Sequence, residues 1–154
     1  MRAWVRVANL VLAIAGLGVS TYLTIAHFNT KVTLACPATS IINCEKVTTS
    51  PESYFFHIPV AVLGLGFYLV AVALALPWPW RDAKFDLPRL AVASLGVLFV
   101  LYLIYTEIVT LGVICLWCTS VHIITLANFL VLIYDYVAQP TPTQRARTSS
   151  SISR

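Results

Sequence analysis

The chain has 154 residues, 59% of them hydrophobic and 10% charged, with a mean hydropathy of +0.85. Those values exclude an ordinary soluble domain and a disordered chain, and they place the sequence among integral membrane proteins, as one domain. The formal charge of +4 does not mark a nucleic-acid binder, because the basic residues stand at the ends of apolar runs, where they act as topology signals.

Residues 1–6 carry Arg2, Trp4 and Arg6, and no further charge appears before Lys31. At ~1.5 Å per residue, about twenty of these residues cross a hydrocarbon layer, which puts a first span at 7–26. The run is longer than a signal-peptide core and has no clean cleavage site, so a retained anchor is expected. Gly16, Ser20 and Thr24 recur at every fourth position, a small-residue stripe that lets a neighbouring helix approach closely.

Residues 27–57 form the polar interruption. A connection of about thirty residues is too long for a simple turn and is usually functional. Ile41, Ile42, Val47, Tyr54, Phe55 and Phe56 supply enough apolar material for it to fold down as a cap. Cys36 and Cys44 lie within it. A second span at 58–78 opens at Pro59 and closes at Pro77 and Pro79, with Gly64 and Gly66 as a close-packing surface. A short charged turn leads to a third span at 90–112, with Glu107 near its far end. That position lets a carboxylate reach water, with a proton-path role as the second reading.

Only a few residues separate this span from a fourth at 115–135, so the two make a tight antiparallel hairpin. The fourth opens on Cys115-Leu116-Trp117-Cys118. A helix beginning near Cys115 aims unpaired N–H groups at the first sulfur, favouring thiolate, and the spacing lets the second sulfur close back on the first. Residues 139–154, rich in Pro, Thr, Ser and Arg, read as a disordered tail.

Four spans put both termini on one side. Arg2, Arg6, Arg81, Lys84, Arg89, Arg145, Arg147 and Arg154 lie on that side, against Lys31 and Lys46 on the other. The bias of eight to two makes the termini cytoplasmic and turns all four cysteines outward, toward an oxidising compartment. The expected fold is therefore an all-α four-helix membrane bundle whose long first outward loop covers the active site.

Two cysteine pairs on one membrane face make a relay for thiol–disulfide exchange if one pair can move. Four cysteines allow three pairings, and the sequence does not choose among them. A pair embedded in the membrane needs an electron partner that lives in lipid, for which a quinone is the natural candidate. Trp117 and the apolar span ends would wall its ring, and His122, four residues beyond Cys118 on the same helix face, would hydrogen-bond or protonate it. The competing arrangements are a non-catalytic scaffold with structural disulfides and a four-cysteine zinc site. The seven residues between Cys36 and Cys44 exceed the usual zinc-ligand spacing of about two to four, so no metal is assigned.

Cys36-x7-Cys44, the stretch Cys44-Glu45-Lys46-Val47-Thr48-Thr49-Ser50-Pro51, the stretch Phe56-His57-Ile58-Pro59-Val60-Ala61-Val62-Leu63-Gly64 and Cys115-Leu116-Trp117-Cys118-Thr119-Ser120-Val121-His122 together resemble a bacterial member of the vitamin K epoxide reductase family, over roughly residues 5 to 137. The resemblance implies a four-helix bundle around a quinone (menaquinone or ubiquinone). It implies that Cys118 faces the ring, Cys115 exchanges with the loop, and Cys36 and Cys44 shuttle electrons from an outside thioredoxin-like protein, so that exported proteins gain disulfides. Ser50 would help hold the loop. Ser53 stands where animal relatives place a quinone-bonding Asn, His122 where they place a Tyr, and His57 where a Gly is common. With a polar tail in place of a fused thioredoxin-like domain, the partner is expected to be a separate protein. The other quinone-linked disulfide oxidase type carries its Cys-x-x-Cys in the first outward loop, which does not match the order here.

Overall fold

The computed structural model describes residues 3–29, 31–81 and 83–138, so the expectation of a disordered tail lies outside the described residues. The fold is built from α1 (Ala3–Phe28), a short α2 (Cys44–Thr49), a two-residue hairpin β1 (Tyr54–Phe55) and β2 (Ile58–Pro59), α3 (Val60–Ala75), α4 (Asp86–Tyr105) and α5 (Leu116–Ala138). α1, α5, and α4 together with the turn that extends it are each long and apolar enough to cross a membrane, whereas α3, at 16 residues, is shorter. Pro77 and Pro79 explain that length. A proline disfavours helical geometry in the residue before it, and Leu76 is extended with ψ of 153°. α4 begins earlier than the expected 90 because Pro88 falls in its first turn, where the missing N–H costs nothing.

α1 lies between α3 and α5, and α4 closes the bundle against α5. The buried residues of α1 are Val5, Asn9, Ala13, Gly16, Ser20 and Leu23, spaced by three or four along one face. Val7, Val11 and Ile14 on α1, Leu95, Leu98 and Leu101 on α4, and Ile123 and Leu130 on α5 are exposed. An outer surface this apolar is matched to lipid rather than water.

The small-residue stripe works as its spacing suggests. Gly16 faces Tyr68, Gly64 faces Ser20, and Thr24 Oγ1 donates to Ala61 O at 3.1 Å. α3 therefore runs antiparallel to α1. Gly66 takes no part: it is exposed, and nothing lies within 4 Å of where its Cβ would stand. A Cβ on Gly16 would overlap the ring of Tyr68. That ring cannot give way easily, since Tyr68 is fully buried and its hydroxyl bonds Val121 O at 3.2 Å and Thr125 Oγ1 at 2.8 Å. Gly16→Ala is thus expected to destabilise the bundle by ~1–3 kcal/mol through overpacking. Gly18→Ala, with open space around it, should stay within about 0.5 kcal/mol of the parent. Thermal denaturation of the two variants in detergent checks both.

At the end of the bundle away from the cysteines, Arg89 is buried. Its guanidinium donates to Leu74 O at 3.2 Å and to Pro79 O at 2.9 Å, pairs with Asp86 at 3.0 Å, and lies 3.9 Å from the centre of the Trp80 ring. Read from sequence only as a topology signal, it also ties the end of α3 to the start of α4.

Candidate active site

α4 does not end cleanly. Thr106–Leu111 continues it as a π turn, which closes at Gly112 in the left-handed conformation (φ 62°) with the Gly112 N–H donating to Glu107 O. The wider turn shifts the helical register, burying Thr106 and Glu107 while Ile108, Val109 and Thr110 face outward. Residues 113–115 then reverse the chain into α5. Cys115 stands immediately before the first residue of that helix and caps it in an unusual way: its sulfur accepts from Cys118 N–H at 3.3 Å, and its carbonyl accepts from Thr119 N–H at 2.9 Å. Lying outside the spanning helix, the Cys115 thiol is held below its ordinary value. The main cause is the hydrogen bond from the Cys118 thiol, and the backbone N–H groups of Cys118 and Trp117 assist against burial and the Glu107 carboxylate.

The loop is fastened to this turn by its own backbone. Ile42 and Ile114 form a parallel bridge, in which Ile114 N–H donates to Ile41 O at 2.8 Å and Asn43 N–H to Ile114 O at 3.1 Å. Asn43 then caps α2, its side chain accepting from Lys46 N–H at 2.9 Å, and Lys46 Nζ reaches Leu111 O at 3.3 Å. Ahead of Cys36, Ala35 is held from both sides: its N–H donates to Tyr22 Oη at 3.2 Å and its carbonyl accepts from Trp117 Nε1 at 3.1 Å.

Cys36 and Cys44 are joined in a disulfide, whereas Cys115 and Cys118 are free. Cys44, Val47, Val113 and Cys115 form one buried cluster, with Cys36, Trp117 and Cys118 packed against it. Exposure divides the loop pair: Cys44 is 2% exposed, while Cys36 is only partly buried and is followed by the exposed residues 37–41. The Cys36–Cys44 bond occupies two of the four ligands that a four-cysteine zinc site would require.

Below the cluster lies a cavity of about 390 Å³, within the usual size range for a small-molecule site. Phe55, Phe67, Phe99 and Tyr68 make most of its aromatic wall, and its polar lining includes Ser50, Ser53, Glu107, Cys118, His122 and Thr125. Cys118 opens onto this space and Cys115 does not. His122 is buried there with no hydrogen-bond partner for its ring among the described residues. Ser50 and Ser53 also line it, although both hydroxyls donate to backbone, to Val47 O at 2.9 Å and Ser50 O at 2.6 Å, which leaves their oxygens as acceptors.

Trp117 takes a different place from the one its sequence position suggests. It does not line the cavity, and it packs edge-on to Tyr22 at 4.8 Å beneath the loop. Glu107, expected to reach water, is 5% exposed. Sequence reasoning also missed Tyr68 and the phenylalanine walls; a hydroxyl in the middle of an apolar helix was the available signal. The hairpin turn explains the position where a glycine is common, since Phe56 and His57 both adopt positive φ (50° and 67°), a conformation that costs glycine nothing.

A family model described as the vitamin K epoxide reductase family matches residues 7–133. The chain belongs to the vitamin K epoxide reductase family. No curated protein is similar enough to count as a match. Membership and three apolar helices make this a membrane protein, and the matched residues take in both cysteine pairs and the cavity. A vitamin K epoxide reductase family chain with one cysteine pair bonded and the other free has the parts of a dithiol–disulfide exchange system in one fold.

Proposed function

We propose that this chain is an integral-membrane thiol:quinone oxidoreductase that takes electrons from an extracytoplasmic thioredoxin-like dithiol and delivers them to a membrane quinone, menaquinone or ubiquinone, in support of disulfide formation. The observation that carries the reading is the stacking of three features: a bonded loop pair, a free pair packed against it, and an apolar cavity onto which only Cys118 of the free pair opens. Family membership supports the same chemistry.

In this scheme a partner thiolate opens Cys36–Cys44, the Cys44 thiolate attacks the Cys115–Cys118 disulfide, and the resulting dithiol reduces the quinone. The quinone ring, as substrate, lies among Phe55, Phe67, Phe99 and Tyr68, with His122 donating to one oxygen and Ser53 and Ser50 near the loop side. Trp117 acts by holding the loop rather than by touching the ring. α3 acts as the fourth crossing: at ~1.5 Å per residue its helix covers about 24 Å, and residues 58–59 and 76–80 supply the remaining length. The termini then face the cytoplasm of a cell-membrane protein, and residues 31–57 cover the outward end of the bundle.

The reading is tested with full-length protein in liposomes, a thioredoxin-like domain pre-reduced at its dithiol, and a short-chain quinone. One quinone should be reduced per dithiol oxidised, as read by quinone absorbance and thiol titration. Wild-type protein that oxidises no dithiol at the expense of quinone overturns the proposal.

A further inference from the structure

Glu107 has no part in the relay described so far, yet its placement is costly. The π turn buries it at 5% exposure in a predominantly apolar cavity, and among the described residues no lysine or arginine stands against it. Its carboxyl group instead meets two groups of the Cys-x-x-Cys turn, the backbone N–H of Cys115 and the thiol of Cys118. It lines the same space as Cys118 and His122. A buried carboxylate with all its partners on a reactive thiol pair is placed to handle that pair's protons.

We infer that Glu107 is a catalytic base and proton carrier, taking the proton from the Cys118 thiol and passing it to a quinone oxygen; this rests on the thiol:quinone reading above. The overall reaction converts two thiols and a quinone into a disulfide and a hydroquinone. As the Cys118 sulfur gives its electron pair to the quinone, its proton moves to the Glu107 carboxylate. The Cys115 thiolate then bonds to the Cys118 sulfur, closing the disulfide and leaving two electrons on the quinone. Glu107 returns its proton to one quinone oxygen, and the proton that left Cys115 supplies the other. Glu107 ends as it began, and no other oxidant or reductant is needed. The other titratable groups lining the cavity are His27, Glu52, Tyr68 and His122, but the side chains that interact with the Cys118 thiol are Cys115 and Glu107.

Glu107→Gln preserves shape and an acceptor for Cys115 N–H but cannot carry the proton. Pre-reduced full-length protein in liposomes is mixed with a short-chain benzoquinone, and the first turnover is followed from pH 6 to pH 9. The Gln variant should lose ~100-fold or more in rate, and its remaining rate should climb about tenfold per pH unit as hydroxide takes over the base's role. Alkylation of Cys118 by a lipid-soluble maleimide, measured without quinone, should slow in parallel. Glu107→Asp, a carboxylate on a shorter arm, should recover the wild-type pH profile and serves as the second variant if Gln impairs folding. A Gln variant at the wild-type rate, one slowed but with the wild-type pH profile, or one whose Cys118 alkylates faster overturns the assignment. Any of these with an active wild type leaves the thiol:quinone reading standing. Wild-type protein that reduces no quinone removes both.

Discussion

Cys118→Ser should stop quinone reduction entirely and leave Cys115 able to bond to the loop. The two sulfurs of the Cys-x-x-Cys turn occupy different surroundings: Cys118 opens onto the cavity, whereas Cys115 is fully buried in the cluster that contains Cys44. Cys115 also sits at the start of α5 with the Cys118 N–H donating to its sulfur, which favours the thiolate that attacks a disulfide. Without Cys118 there is no sulfur facing the quinone, so turnover falls to the uncatalysed background. With Cys36→Ser added, the Cys44–Cys115 bond has no neighbouring thiolate to reopen it and should accumulate under mild oxidation. Non-reducing electrophoresis with mass spectrometry of the joined peptides reads it directly. A double variant that shows no Cys44–Cys115 bond in any redox condition would remove the exchange step from the scheme. Cys115→Ser should be equally inactive, but with no bond from Cys44 to the fourth helix except through the cavity-facing sulfur.

Much of this arrangement is legible in the chain itself, because it depends on short-range pattern. The runs around 7–26, 90–112 and 115–135 are long enough to mark membrane helices by hydropathy alone, and a Cys-x-x-Cys at a helix start carries its own electrostatics. What the sequence hides is pairing over distance. Nothing local in Ile41, Ile42 or Asn43 says that their backbone bonds go to Ile114, and it is those bonds that set Cys44 beside Cys115. Trp117 shows the same limit: an aromatic next to a cysteine reads as a ligand wall, but its indole N–H needs an acceptor and finds Ala35 O in the loop. Glu107 is hidden in the same way, because a regular helix through the end of the third span would leave its carboxylate within reach of water. One wide turn changes which side of that helix each residue occupies, and it brings a carboxylate inward.

The loop cysteines should prove unequal toward the partner, in a way that single substitutions expose. A thiolate arriving from outside must approach one sulfur of the Cys36–Cys44 bond along its axis. Cys44 is 2% exposed and covered by Val47, Val113 and Cys115, whereas Cys36 is partly exposed beside the open stretch 37–41. Attack is therefore expected at Cys36, with Cys44 as the leaving sulfur, released next to Cys115, where the scheme needs it. Partner-driven quinone reduction should fall to background in both Cys36→Ser and Cys44→Ser, so rate alone does not tell them apart. The trapped species do. Cys44→Ser keeps the sulfur that meets the partner and lacks the one that resolves the adduct, so oxidation should accumulate a partner–Cys36 disulfide. Cys36→Ser should give little partner adduct, because its remaining loop sulfur already lies inside the cluster. The fastened loop also predicts that Trp117→Phe, which removes the donor to Ala35 O at 3.1 Å, shifts some adduct toward Cys44 by loosening the segment that shields it. Partner adducts found mainly on Cys44 in the otherwise unaltered chain would reverse the order of the relay, and with it the direction in which the loop delivers electrons to the helix.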